Sequence, residues 1–266
     1  MLRRIAVRSV TGPRTGHPKL IASLIYLDEM CTSVALVSET WLSDSPELEE
    51  DLKDVEEGTG YSMLLKNKPK NRRGYSTGGI TIVSKNSKIK FKEVNLPWNK
   101  FKVVCGVGTL TYHVQKVVVV SVYIPPQYSA EENRKCLDFI EDSLIRLKGQ
   151  FQGPYIIVGG DFNKRDVEGA LADIPDMKLV DSPATHAGQH LDKIFVNFKS
   201  QIHESGVLNP LENEAGICSD HAVIYAQARL KRIESFKWIR DIQLRQKRSS
   251  GNGWRILIGK GVLRKI

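Results

Sequence analysis

Eight residues near the middle of the chain, Val117 to Ile124, read Val-Val-Val-Val-Ser-Val-Tyr-Ile and run into Pro125-Pro126. The run falls far short of the roughly 18 apolar residues that a membrane helix needs, so it predicts a strand, stopped by two residues that cannot donate to a ladder. Three β-rich segments precede it, Ile80 to Val83, Ile89 to Val94 and Val103 to Tyr112, with turns at Asn86-Ser87 and His113 to Gln115. Together the four predict an antiparallel, meander-like run. Ala130 to Lys148 then carries Cys136, Leu137, Ile140, Leu144 and Leu147 at helical intervals, predicting a helix that covers a sheet. Val34 to Ser38, Tyr155 to Val158, Asp192 to Val196 and Ala222 to Ala226 read as further strands, and His17 to Met30 as an amphipathic helix.

Charge divides the chain. The total is +9, yet from Arg229 onward 12 Lys or Arg face 2 Asp or Glu, so the tail carries +10 and the first 228 residues about −1. The expectation is one domain over residues 1–228 and a basic tail over 229–266. Phe236, Trp238 and Trp254 lie among the tail's basic residues, a mixture suited to gripping nucleic acid and equally to an interaction tail or an unordered extension. The acidic stretch Glu47 to Glu57 and the basic loop Lys66 to Arg73 each read as a solvated face, with Arg72 and Arg73 also suited to lie along a DNA backbone. Cys31, Cys105, Cys136 and Cys218 have no metal-binding spacing and read as buried reduced thiols. The N-terminus has basic residues but no long apolar segment behind them, so the expectation is an intracellular, nuclear protein with no membrane span.

Carboxylates and a histidine stand at strand ends. Glu39 follows Val-Ala-Leu-Val-Ser, Asp161 follows Ile-Ile-Val-Gly-Gly, Asp192 precedes Lys-Ile-Phe-Val, and Asp220-His221 precedes Ala-Val-Ile-Tyr. A carboxylate beside a buried strand is costly unless it meets a metal, a partner or solvent. Taken singly, Glu39 reads equally as a turn residue, Asp192 as a cap, and the Asp-His pair as a satisfied core histidine. Phosphoester hydrolysis, however, needs oxygen ligands for a hard cation, a base for water and donors around the developing charge, and these residues together supply them.

In this order the segments Ser38-Glu39-Thr40-Trp41-Leu42, Gly78-Gly79-Ile80-Thr81-Ile82, Val122-Tyr123-Ile124-Pro125-Pro126, Gly160-Asp161-Phe162-Asn163, Leu191-Asp192-Lys193-Ile194 and Ser219-Asp220-His221 resemble the endonuclease/exonuclease/phosphatase superfamily. Within it, the Glu-Thr-Trp-Leu, Gly-Gly and Tyr-x-Pro-Pro forms are similar to the apurinic/apyrimidinic-like endonuclease domains of non-LTR retrotransposons, whose longer relatives continue into a reverse transcriptase. The resemblance runs from about Arg4 to Ala228. Alternating strand runs and covering helices agree with the α/β fold it implies, a four-layer sandwich of two mainly antiparallel sheets flanked by helices.

The resemblance implies Mg²⁺, or alternatively Mn²⁺, held by Glu39, Asp161 and Asp220. It implies Asp161 orienting or deprotonating water, and His221 facing the phosphate with Asp192 behind it. Asn163 and Tyr123 would bind the phosphate, and Thr185 would lie close to the substrate. DNA is the implied partner, nicked on one strand to leave 3′-hydroxyl and 5′-phosphate ends. The family's first strand normally ends in a metal-binding Asn, and the reading places Ala6 there, which predicts weakened metal binding. A phosphatase of small or lipid phosphates and a weakened nucleic-acid-binding remnant are the alternatives. His186 and His190 read as ordinary surface residues, since a zinc-like pair there lacks further ligands.

Overall fold

A computed structural model describes residues 5–9, 24, 26–40, 46–66, 79–110, 115–163, 167–172, 174, 176–208 and 221–230. Strands β1 (Ile5–Ser9), β2 (Val34–Ser38), β3 (Tyr61–Lys66), β4 (Ile80–Lys85), β11 (Ile202–Leu208) and β12 (Val223–Ala228) form one sheet in the order β11-β12-β1-β2-β4-β3. Strands β5 (Phe91–Glu93), β6 (Lys102–Thr109), β7 (Lys116–Tyr123), β8 (Tyr155–Asp161), β9 (Lys178–Leu179) and β10 (Asp192–Val196) form the other, ordered β5-β6-β7-β8-β10-β9. Pairing is antiparallel except for β1 with β2 and β7 with β8. A parallel neighbour needs a crossover, and between β7 and β8 it is helix α2, Ala130–Gln150.

The period-2 alternation of each strand sends one set of side chains inward and the other outward. Val34, Leu36, Ile80 and Ile82 of the first sheet meet Val119, Ile157, Ile194 and Val196 of the second in the core between them. On the far side of the second sheet, Val118, Val120, Ile156 and Val158 pack against Cys136, Ile140 and Leu144 of α2. On the far side of the first, Ala6, Ala35 and Val37 pack with Leu24 and Leu27 of the helical segment that ends near Met30. The two sheets, each with helical residues outside it, make the expected mixed α/β arrangement. Helix α2 starts where Ser129 and Glu132 cap each other, the Glu132 amide donating to Ser129 Oγ at 3.2 Å and the Ser129 amide to Glu132 Oε2 at 2.8 Å.

Two expectations need correction. The four-strand meander is not one: β4 is buried along almost its whole length and pairs on both edges, with β2 and β3, so of the four predicted segments only β5, β6 and β7 neighbour one another in one sheet. The acidic stretch is solvated as expected, Glu50, Asp54 and Glu57 being exposed, on helix α1, Pro46–Thr59, which leads into β3. Cys31 is exposed in a turn at φ 52°, whereas Cys105 and Cys136 are buried as expected and Cys218 lies outside the described residues. The Lys66 to Arg73 loop beyond Lys66, and everything past Leu230, also lie outside them.

Gly160 is the backbone condition for the second sheet. It sits at φ 146°, and a Cβ there would lie 1.8 Å from the Val122 carbonyl oxygen of the neighbouring strand. No rotamer relieves a clash with backbone, so Gly160→Ala is expected to lower stability by about 3 kcal/mol or more, measured by urea unfolding.

Candidate active site

The strand ends predicted from sequence come together on one rim. Asp161 closes β8 and pairs in register with Tyr123, the last residue of β7, and with Asp192, the first of β10. Directly paired residues face the same side of a sheet, so the three form one inward-facing row. Glu39 follows β2 of the opposite sheet at φ 56°, a left-handed backbone uncommon for a residue with a side chain. The Tyr123 hydroxyl donates to Glu39 Oε1 at 2.5 Å, joining the two sheets at the rim. His221, just before β12, bonds through Nδ1 to Asp192 Oδ2 at 2.7 Å. A carboxylate can only accept, so Nδ1 carries the proton, and His221 lines the cleft.

Burial sets the electrostatics. Asp161 is 2 % exposed, and burial first, then the Asp192 carboxylate, push its pKa up to about 8; His221 and the Asn163 amide, which donates to Asp161 Oδ1 at 3.0 Å, pull the other way, and Glu39 pushes it up further. Burial, followed by the Glu39 charge, also holds the Tyr123 phenol well above its ordinary range. The rim thus sets the Glu39, Asp161 and Asp192 carboxyls together with His221 and the Lys102 ammonium in surroundings where burial disfavours ionisation.

The oxygen donors of Glu39 and Asp161 fit a hard divalent cation, which would favour the ionised form of the buried Asp161. Asp161, Asp192 and His221 also place one donor each within 4.8 Å of one another, but Asp192 and His221 are bonded together, which leaves Asp161 with Glu39 as the better carboxylates for the ion.

A cleft of about 610 Å³ opens beside this row, lined by Pro126, Asn163, His186, Ala187, Gln189, Leu191 and His221. Asn163, at φ 51°, is fixed by its Nδ2 donating to the Ile124 carbonyl at 2.9 Å. Thr185 is buried, and its hydroxyl accepts from the Asp192 amide at 3.3 Å while its carbonyl accepts from the Ala222 amide at 2.8 Å. It braces the Asp192–His221 pair from behind. Asp220, Arg72 and Arg73 lie outside the described residues.

Ala6 does not occupy the position assigned to it. In the parallel β1–β2 register Ala6 pairs with Ala35, three residues short of the strand end, and it is buried in the outer core with Leu24 and Leu27. The residue level with Ser38, next to Glu39, is Ser9.

Two side chains escaped the sequence reading. The His186 ring stacks on His221, with centroids 5.0 Å apart and planes 29° apart. Lys102 pairs in register with Tyr123 and lies over its ring. His186 had a weak signal in its nearness to Leu191-Asp192, whereas Lys102 had none, since only strand register brings it to Tyr123.

The endonuclease/exonuclease/phosphatase family pattern matches residues 13–221. The chain belongs to this family. Its members are hydrolases of phosphoesters that typically work with a divalent metal.

No curated protein matches the chain in sequence. Among solved structures, 86 % of the chain superposes on 99 % of D. rerio TDP2 complexed with a single-strand DNA product, at 16 % identity and TM-score 0.61. The same share superposes on 100 % of the Bacteroides thetaiotaomicron mannosyl-6-phosphatase Bt3783 at 12 % identity and TM-score 0.65. It superposes on 98 % of the endonuclease domain of TRAS1, a telomere-specific non-LTR retrotransposon, at 14 % identity and TM-score 0.56. At these identities the likeness is one of fold.

A carboxyl that keeps its proton to about pH 8 when folded, against an ordinary value near 4, binds one more proton folded than unfolded across that window. Stability then falls as pH rises through it. Asp161→Asn is expected to melt above the parent at about pH 8 in chelator, with the gap closing toward about pH 4. Added Mg²⁺ should raise the melting temperature of the parent and leave that of the variant unchanged, as read by thermal melts.

Proposed function

We propose that the chain is a metal-dependent DNA endonuclease that nicks one strand and leaves 3′-hydroxyl and 5′-phosphate ends. The observation that carries the reading is the buried Asp192–His221 pair set beside Asp161, with the Tyr123–Glu39 bond opposite. Asp161, ionised once a cation offsets the cost of its burial, would orient or deprotonate the attacking water, and the His221 imidazole would face the phosphate as negative charge grows on it. Asp192 keeps the imidazole oriented and stabilises its cationic form. Asn163 binds a phosphate oxygen, and the Tyr123 hydroxyl would donate to the phosphate only by turning its one proton away from Glu39. A Mg²⁺ or Mn²⁺ ion held by Glu39 and Asp161, with Asp220 as a further donor, would neutralise phosphate charge.

DNA is preferred to a small phosphate ester because the Glu-Thr-Trp-Leu and Tyr-x-Pro-Pro forms are similar to those of retrotransposon endonuclease domains; the fold, shared alike with TDP2, the TRAS1 endonuclease domain and a mannosyl-6-phosphatase, does not separate the two. Arg72, Arg73 and the basic residues beyond Arg229 extend the reading as contacts to the DNA backbone, which would make binding fall with salt. A following reverse transcriptase in longer relatives and a nuclear location belong to the same proposal.

Supercoiled plasmid with Mg²⁺ should be converted to the nicked form, and Asp161→Ala or His221→Ala should slow this at least ~100-fold, within the range of general acid–base contributions. Absence of nicking with either metal, or unchanged nicking by both variants, overturns the reading. Phosphate release from sugar or inositol phosphates without nicking would replace it with a phosphatase.

The register separates two further variants. Ser9→Asn, level with Ser38, should lower the Mg²⁺ concentration that half-saturates activity. Ala6→Asn should bury an amide in the apolar outer core and lose about 2 kcal/mol of stability with no gain in metal binding.

A further inference from the structure

Lys102 opens β6 and pairs in register with Tyr123, so it extends the inward-facing row to Lys102, Tyr123, Asp161 and Asp192 on four adjacent strands. Its side chain is an unusual occupant. The residue is only 8 % exposed, although taking an ammonium out of water is costly unless the surroundings compensate. Compensation is at hand: Nζ lies 4.4 Å from the centroid of the Tyr123 ring, within the range of a cation–π contact. That ring carries the hydroxyl that donates to Glu39 Oε1. A chain of contacts thus leads from the second sheet to a carboxylate of the first.

We propose that Lys102 is a positioning residue for the metal site. Its ammonium pins the face of Tyr123, the pinned phenol aims its hydroxyl at Glu39, and Glu39 is thereby held in the orientation that takes the cation. The inference rests on the phosphoesterase reading of this rim but not on DNA as the substrate. Support behind a ligand matters because the partners of a ligating carboxylate set its orientation and affinity.

Two effects of Lys102 on a cation have opposite signs, which makes the proposal testable without turnover. A nearby positive charge repels the ion, so neutralising it should strengthen binding; an orienting contact improves the ligand, so removing it should weaken binding. Mn²⁺ binding to the purified full chain would be measured by calorimetry or electron paramagnetic resonance for the parent, Lys102→Met, Lys102→Arg and Tyr123→Phe, with and without Lys102→Met. Methionine keeps an aliphatic stem over the ring and removes the charge, which guards against simple loss of packing. Lys102→Met is expected to bind Mn²⁺ about ten-fold more weakly, at the low end of losses seen for such supporting partners, and arginine, which can also cover the ring, should restore most of it. On the Tyr123→Phe background Lys102→Met should change affinity little, since the hydroxyl through which it acts is gone.

Unchanged or tighter Mn²⁺ binding by Lys102→Met overturns the proposal, as does an undiminished loss on the Tyr123→Phe background. A loss that arginine fails to restore and that follows a fall in melting temperature also overturns it, since Lys102 would then be a packing residue. If the parent binds Mn²⁺ with these couplings yet nicks no plasmid, the endonuclease reading fails and the role of Lys102 stands. If the parent nicks plasmid and the couplings are absent, the reverse holds.

Discussion

Two apolar sheet faces pressed together are the constraint on which this molecule depends. Val34, Leu36, Ile80 and Ile82 can leave water only by meeting Val119, Ile157, Ile194 and Val196, and that contact aligns the ends of strands from two sheets along one rim. Glu39 arrives there on β2, and Tyr123, Asp161 and Asp192 arrive on β7, β8 and β10. No single loop could hold four such groups so closely. The dry core also supplies the electrostatics, because it is burial, ahead of any neighbouring charge, that raises Asp161 and Tyr123.

The rim stands against the stability of the rest. Glu39 and Asn163 adopt left-handed backbone, and Asp192 Oδ1 and the hydroxyls of Ser38, Thr40 and Ser121 are buried with no protein partner among the described residues. Each such feature costs stability where it occurs. Such features are not confined to the rim, since Cys31, Trp98 and Asp176 are also left-handed and Thr32, Thr81 and Asn133 also hold unpartnered buried atoms. What sets the rim apart is that there they accompany buried carboxylates, whereas α2 is capped at Ser129 with its apolar stripe buried on the second sheet.

Local pattern made much of this legible, and distance in sequence hid the rest. The valine run of β7, the period of α2 and the strands ending at Ser38 and beginning at Asp192 carry their own signals, and the Asp and His residues at those ends could be named as site candidates from type and order alone. Polar edge strands could not be seen: Ile202–Leu208 buries none of its residues, His203, Glu204 and Ser205 being exposed in succession, and has no clean alternation. Nor could partners that are set by register. Ala6 looked like the strand end because β1 has no punctuation of its own, and only its pairing with β2 shows that Ser9 stands level with Ser38. The meander failed for the same reason, since a strand apolar on both faces, like β4, does not declare which sheet it joins.

The segment facing the cleft and the machinery behind it are built differently. Residues 185–189 fold into a tight hairpin, with His186 and Gln189 exchanging backbone bonds of 3.2 and 2.7 Å and the two intervening residues, Ala187 and Gly188, both left-handed. Such a turn matches the twist of flanking strands and holds its side chains without help from substrate. On its inner side the Thr185 hydroxyl accepts from the Asp192 amide and its carbonyl from the Ala222 amide, so both members of the Asp192–His221 pair are tied to this one residue. On its outer side it presents His186, Ala187 and Gln189 to the cleft. The hairpin therefore ties the cleft wall to the chemistry behind it: Thr185 holds Asp192 and Ala222, and the His186 ring stacks on His221.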